Sequence, residues 1–126
     1  MWIEYVYEYA YGIELPLALV GSTGGKTMAA YFIAQYVVND RTLYREYQAA
    51  AGPTIQAAGG EVVAFDVAAE TIEGSPPGPQ TVILKFESTE AAKAWYKSPA
   101  YQAVVGKRLA ATKGFALIAQ SMNFGG

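Results

Sequence analysis

The chain has 126 residues, of which 52% are apolar and 16% are charged, and its net charge is −2. This length suits one domain, and the scattered Lys and Arg residues give no reason to expect a nucleic-acid partner. Because the chain has no cysteine and no histidine, it lacks disulfides, thiol and imidazole nucleophiles and the common zinc, haem and iron–sulfur ligand sets. We therefore expect no metal and no cofactor.

No run of apolar residues approaches the roughly 20 that a membrane-spanning helix needs. The N-terminal stretch carries Glu4, Glu8 and Glu14, whereas a secretory signal begins with basic residues. We therefore expect a cytoplasmic protein with no membrane partner.

Residues 1–27 differ in character from the rest of the chain. They include a tyrosine-rich stretch and end in a glycine-rich run that is typical of a flexible linker. Gly21 and Gly25 have three residues between them rather than the four of a phosphate-binding loop, so nucleotide binding is not predicted. Because Met28 is a candidate start residue, we expect 1–27 to be an N-terminal extension or linker, of the kind that cloning adds, and 28–126 to be the domain. The alternative, that 1–27 belongs to the native fold, stays open.

The domain opens with a predicted strand and a long helix. Residues 30–38 are aromatic and β-branched, which favours a strand. Asp40, or the residue before it, is a candidate helix N-cap, and apolar residues then recur at helical spacing. Pro53 predicts a break or a kink, followed by one more turn that Gly59 ends.

Two further strands follow this helix. Residues 61–67 and 81–86 alternate or run apolar in the manner of strands. Residues 73–79 lie between them and contain three prolines and two glycines, which favours a loop.

The C-terminal part is predicted to hold two helical segments and a last strand. Ser88, or the threonine after it, is a candidate N-cap for the first segment. Ser98 and Pro99 start the second segment, with serine as the cap and proline at the first helical position. Gly114 is predicted to end it, and residues 115–122 form the last strand.

The order of these elements is β-α-β-β-α-β. That order predicts an α+β, ferredoxin-like fold, with a four-stranded antiparallel sheet and two helices on one face. Val, Ile, Phe and Tyr occupy both alternations of the strands, so the second face of the sheet is also apolar. We expect a second copy of the chain to cover that face, which predicts a homodimer.

The stretch AWYKSPAYQ at residues 94–102, with Arg108 one or two turns later, is the most distinctive motif of the chain. Together with the strand at 30–36 and the Glu73-Gly74 pair before residues 82–86, it resembles the bacterial family of domain of unknown function 1330. Lys85 departs from that family, which often has an acid there. The resemblance covers about residues 29–122 and implies membership of the dimeric α/β-barrel superfamily.

Several side chains are candidates for contact with a ligand. Arg108 is a candidate anion holder, because a guanidinium binds a carboxylate or an enolate in bidentate fashion. Its structural alternative is an ion pair with Asp40, with Glu46 or with an acid of a partner chain. Aromatic residues with polar tips can line an apolar pocket, although at helical spacing they are more often core. The candidate ligand-binding residues are Arg108, Tyr101, Trp95, Tyr96, Tyr44 and Asp40.

Two hypotheses for function follow. The resemblance implies a homodimeric domain that binds a small organic ligand, and relatives in the superfamily suggest cofactor-independent oxygenation or isomerisation of a small organic acid. The alternative is a non-catalytic interaction or assembly protein that uses its tyrosine-rich N-terminal segment as an added strand. A cavity with converging Arg and Tyr side chains would favour the first hypothesis, and a filled interior would favour the second.

Overall fold

The structure is a computed structural model that describes residues 28–122. Ala29–Ser121 form one compact unit. The predictions for residues 1–27 lie outside the described residues. Within residues 28–122 the elements are, in chain order, β1 (Ala30–Val38), α1 (Arg41–Ala57), β2 (Glu61–Asp66), β3 (Gln80–Phe86), α2 (Thr89–Lys97), α3 (Pro99–Ala111) and β4 (Thr112–Gln120).

The strands form one antiparallel sheet in the order β2-β3-β1-β4. The ferredoxin-like prediction is confirmed, because β1 lies in the centre of the sheet and the helices that connect the strands all lie on one face of it. Residues in β1 alternate, so that Phe32, Ala34 and Tyr36 are buried against the helices while their neighbours face the other way. The helix-facing side of β1 therefore forms the floor of the core.

Helix α1 begins where the sequence indicates and ends after the predicted further turn, just before Gly59. Asp40 caps it by accepting a hydrogen bond from the Leu43 backbone nitrogen at 3.0 Å. Of the break or kink predicted at Pro53, the break does not occur, since α1 runs through this residue to Ala57. Thr54 donates to the Ala51 carbonyl at 2.7 Å and accepts from the Trp95 indole at 3.1 Å. These contacts stabilise the helical turn at Pro53, where the lack of a proline N–H removes one backbone hydrogen bond.

The second helical region is divided in two, as Ser98 and Pro99 predict. The Ser98 hydroxyl donates to the Trp95 carbonyl at 2.7 Å and accepts from the Tyr101 nitrogen at 3.2 Å, so one side chain ends α2 and begins α3. The sheet face is accordingly covered by three helices rather than two.

The prediction that Gly114 ends the last helix is wrong. Helix α3 ends at Ala111, and Gly114 lies inside β4, opposite Tyr36. A Cβ atom at this position would overlap the Gln35 carbonyl oxygen. The glycine therefore allows the close approach of β4 to β1 and does not end a helix.

The face of the sheet opposite the helices carries a row of apolar side chains and is uncovered among residues 28–122. Ile83, Ile33 and Leu117 are register partners on neighbouring strands and form a row across this face. Leu117 and Phe115 are each 46% exposed. No helix within residues 28–122 is long and apolar enough to cross a membrane.

Candidate functional site

The centre of the site is Arg108, in the last turn of α3. The residue is 4% exposed, and its guanidinium carbon lies 5.8 Å from the centre of the Tyr36 ring, within cation–π range. Neither predicted acid within the chain pairs with it, since Glu46 binds Lys107 at 3.2 Å and Asp40 caps α1. Among residues 28–122, Arg108 thus has no carboxylate partner.

Four tyrosines surround the guanidinium, and we call Tyr36, Tyr44, Tyr47 and Tyr101 the tyrosine cluster. Strand β1 supplies Tyr36, α1 supplies Tyr44 and Tyr47 three residues apart on one face, and α3 supplies Tyr101. Their hydroxyls form two hydrogen-bonded pairs, Tyr36 with Tyr44 and Tyr47 with Tyr101, each at 2.7 Å.

The hydroxyls of Tyr36, Tyr44 and Tyr47 remain protonated at neutral pH. Burial, with the hydrogen bond to Tyr44, raises the pKa of Tyr36 well above its usual value of 10.0. Burial likewise raises the pKa of Tyr47, helped by its neighbour Tyr101, and burial raises that of Tyr44. The cluster therefore offers hydrogen-bond donors and weak acids rather than bases.

Arg108 remains charged in this setting. Burial by itself would lower the pKa of its guanidinium, but the neighbouring tyrosines, Tyr101 first and then Tyr47 and Tyr36, together raise it. The result is a buried cation that faces hydroxyl groups instead of an acid.

Two buried hydrogen-bond donors beside the tyrosine cluster lack an acceptor. Arg108 Nε and Gln80 Nε2 are both buried and have no hydrogen-bond acceptor in the described part of the chain. A buried donor without an acceptor costs free energy, roughly 1–3 kcal/mol in proteins. The arrangement is therefore complementary to a group rich in acceptor oxygens.

A cavity of about 130 Å³ lies beside the cluster, between α1 and the sheet. Three members of the cluster, Tyr36, Tyr44 and Tyr47, line it. Val62 and Phe65 on the edge strand β2 also line it and are 55% and 44% exposed, so the cavity opens beside β2. This volume resembles the roughly 150 Å³ in which an apolar protein cavity holds benzene. The remaining wall is mainly apolar and includes Phe32, Ile55, Val82 and Leu84.

The structure brings together three of the predicted site residues, Arg108, Tyr101 and Tyr44. Arg108 and Tyr101 lie behind the cavity wall rather than on it. Trp95 is a core residue whose ring centre lies 4.1 Å from that of Tyr101, and Tyr96 lies in a separate groove beside β4. Asp40 is exposed at the start of α1.

Sequence reasoning missed Tyr36 and Gln80 as parts of this site. The alternation of β1 places Tyr36 on the same face as Phe32 and Ala34, and that signal could have identified it. Tyr47, three residues after Tyr44 on the same helix, also lies on the cavity wall. No local pattern distinguishes Gln80, since its burial arises from its tertiary neighbours.

Comparison with known proteins places the fold in context. The family model of DUF1330, a domain of unknown function, matches residues 29–122. No curated protein matches the sequence.

Within residues 28–122, no group of three or more acidic side chains is placed to hold a metal ion.

Several solved structures have the same fold at low identity. The RPA0582 protein of unknown function from Rhodopseudomonas palustris is 17% identical with a TM-score of 0.62, over 78% of this chain and 85% of that one. SnoaB, a cofactor-independent oxygenase from Streptomyces nogalater, is 10% identical with a TM-score of 0.58, over 77% and 96%. A dimeric protein of unknown function and ferredoxin-like fold from Bacteroides fragilis is 9% identical with a TM-score of 0.51, over 75% and 96%.

Proposed function

The chain belongs to the DUF1330 family, and we propose that it is a homodimeric domain that binds a small organic acid. The apolar body of the ligand occupies the cavity between α1 and the sheet. Its acidic group meets the hydroxyls of the tyrosine cluster, and Arg108 behind them supplies the compensating positive charge.

The observation that carries this proposal is the buried guanidinium of Arg108 without a carboxylate among residues 28–122. A buried charge is costly unless it is paired and hydrogen-bonded. An acidic ligand would supply the missing negative charge, and the adjacent cavity of about 130 Å³ has room for a body the size of a six-membered ring.

Arg108 acts on the ligand through two tyrosines. A guanidinium only donates hydrogen bonds, and in the arrangement that we propose Tyr101 presents its oxygen to Arg108 and its hydrogen to Tyr47. The two hydroxyl oxygens lie 2.7 Å apart, and either of them can be the donor of this hydrogen bond. In the proposed arrangement the hydrogen of Tyr47 itself is free for a ligand in the cavity, which Tyr47 lines.

The protonation of the cluster limits the chemistry it can perform. Hydroxyls whose pKa is raised by burial can donate to an oxyanion but cannot remove a proton at neutral pH. A role as a cofactor-independent oxygenase or isomerase would therefore require the substrate to enter already ionised, as a carboxylate or an enolate. The same hydroxyls would stabilise that anion.

The uncovered face of the sheet supports the homodimer. The row of Ile83, Ile33 and Leu117 is apolar across three strands, and apolar sheet faces are covered in stable proteins. A second copy presents an identical face, so two sheets can pack against each other.

Calorimetric titration of the full-length chain with benzoate and with benzyl alcohol tests the binding proposal. The two probes have similar size and differ in charge. We expect benzoate to bind at least tenfold more tightly, because only its carboxylate pairs with the charged, donor-rich cluster. Equal or weaker binding of benzoate would contradict the proposal.

A further inference from the structure

A second, wider space adjoins the cavity at the edge of the sheet. It is an open groove of about 540 Å³ between the second half of α1 and the start of β2. The side chains and backbone of these two elements line it, namely Gly52, Pro53, Ile55 and Gln56 from α1 and Glu61 and Val62 from β2. Three of these residues, Gly52, Ile55 and Val62, also line the inner cavity. The cavity and the groove therefore meet where α1 faces β2.

The opening between the two spaces lies beside Gly52. A Cβ atom added to this half-buried residue would have no heavy atom of the described residues within 4 Å beyond its own helical turn. Val62, on the other side of the opening, is 55% exposed. Gly60 differs, because a Cβ atom there would lie 2.7 Å from Ile55 Cγ2 and from Phe86 Cε1. The space beside Gly52 is thus open, whereas the space beside Gly60 is filled.

Helix α1 connects this opening with the tyrosine cluster. Tyr44, Gln48 and Gly52 follow each other at intervals of four residues, so they form one row along α1, and all three line the inner cavity. A helix rises about 1.5 Å per residue, which places Gly52 roughly 12 Å from Tyr44 along the axis. The cluster therefore lies near one end of this wall of the cavity, and the opening lies near the other.

The groove has no positive side chain to receive a second acid. Within residues 28–122, neither Arg nor Lys lines it, and its polar side chains are those of Gln56 and Glu61, both exposed. The Glu61 carboxylate would repel a second negative charge. The part of a ligand that lies in the groove should therefore be uncharged.

We propose that the cavity and the groove form one elongated site, in which the ligand passes Gly52 on its way out of the cavity. This inference rests on the function proposed above and narrows the ligand to an elongated acid with a single charged end. The acidic group lies at the tyrosine cluster, the ring fills the cavity, and an uncharged chain lies in the groove. Gly52 is then a specificity-determining residue, because a side chain at this position would close the opening.

Calorimetric titration of the full-length chain with benzoate, 4-butylbenzoate and 4-(3-carboxypropyl)benzoate tests the length and charge of the site. The second probe adds an apolar chain to the first, and the third ends that chain in a carboxylate. We expect 4-butylbenzoate to bind about tenfold more tightly than benzoate, because its chain is partly buried in the groove. The third probe should lose this gain, because its outer carboxylate lies near Glu61.

Variants at Gly52 test the opening itself. Pro53 gives a structural reason for a glycine at 52, because a Cβ atom on the residue before a proline is disfavoured in a helix. The variants are therefore compared in a Pro53→Ala background, which removes that clash. In this background Gly52→Leu should weaken the binding of 4-butylbenzoate about tenfold and that of benzoate less than about threefold.

Gly106→Leu in the same background is the matched control. Gly106 is also a helical glycine with open space around its Cβ position, and it lines neither the cavity nor the groove. It should bind both probes as the Pro53→Ala protein does. An equal loss of 4-butylbenzoate binding in the two leucine variants would overturn the role of Gly52.

The outcomes separate this inference from the proposed function. If the wild type prefers benzoate to benzyl alcohol but gains nothing from the butyl chain, or if Gly52→Leu leaves 4-butylbenzoate binding unchanged, the inference is wrong while the proposed function stands. If the wild type shows no preference for benzoate over benzyl alcohol, both fail. Should Gly52→Leu not fold, the backbone amide signal of Gln56 in the wild type decides. It should shift in NMR spectra on addition of 4-butylbenzoate and not of benzoate, and equal responses to the two probes would overturn the inference.

Discussion

The hydroxyl oxygens of Tyr47 and Tyr101 lie 2.7 Å apart although the residues are 54 positions apart in the chain. Their hydrogen bond joins α1 to α3 in the core and lies between the buried Arg108 and the cavity. The contact satisfies two polar atoms that folding removes from water, and in the proposed function it also relays the effect of the cation to the wall of the cavity.

Tyr47→Phe should separate these two roles. Without the hydroxyl, the cavity loses the donor that Arg108 orients, and we expect benzoate affinity to fall about tenfold in calorimetric titration. The free energy of unfolding should fall by about 1 kcal/mol, since Tyr101 loses its partner. Tyr31→Phe is the control, because Tyr31 lies on the opposite face of the sheet, and it should bind benzoate normally. Wild-type affinity in Tyr47→Phe would contradict the role of Tyr47.

Arg108→Met should improve stability and abolish binding. Methionine keeps the apolar stem of the side chain and removes a buried charge that has no carboxylate partner among residues 28–122. We expect the free energy of unfolding, measured with urea, to rise by about 1 kcal/mol and benzoate affinity to fall more than tenfold. A variant that loses stability and retains benzoate binding would assign Arg108 to the core alone.

The stability of the chain should fall in alkaline solution above pH 10. The folded state raises the pKa of Tyr36 and Tyr47 above the value of 10.0 that tyrosine has when unfolded. As the pH rises, the tyrosines of the unfolded chain therefore lose their protons before those of the folded chain. Their ionisation leaves the free energy of unfolding unchanged below pH 10 and lowers it above pH 10. Urea unfolding at pH 8, 10 and 11 measures the decrease. Tyr36→Phe should show a smaller decrease, and an equal one would contradict the assignment.

Leu117→Lys should convert the proposed dimer into a monomer. The substitution places a charge in the row of apolar residues on the uncovered face, where burial against a second copy would be costly. Native mass spectrometry of the wild type and the variant measures the change. Leu109→Lys is the matched control, since Leu109 is 59% exposed on α3, and it should remain dimeric. A monomeric wild type would refute the dimer.

The fold was largely predictable because its signals are local. The aromatic and β-branched residues at 30–38, the cap at Asp40 and the Ser98-Pro99 start are patterns within a few residues, and each led to the correct element. The continuous helix at Pro53 and the wrong helix end predicted at Gly114 have a common cause. In both places a tertiary contact, from Trp95 to Thr54 or from β1 to Gly114, outweighed the local preference.

The sequence by itself determined the ferredoxin-like fold, the family and the absence of histidine and cysteine chemistry. It also identified Arg108 and two tyrosines as candidates, because their residue types and helix positions can be read locally. Only the tertiary structure decided that Arg108 is buried without a carboxylate among residues 28–122, that Tyr36 and Tyr47 line a cavity, and that Gln80 turns its amide inwards. These properties depend on which donors and acceptors meet across elements distant in the chain, and no local pattern records such meetings.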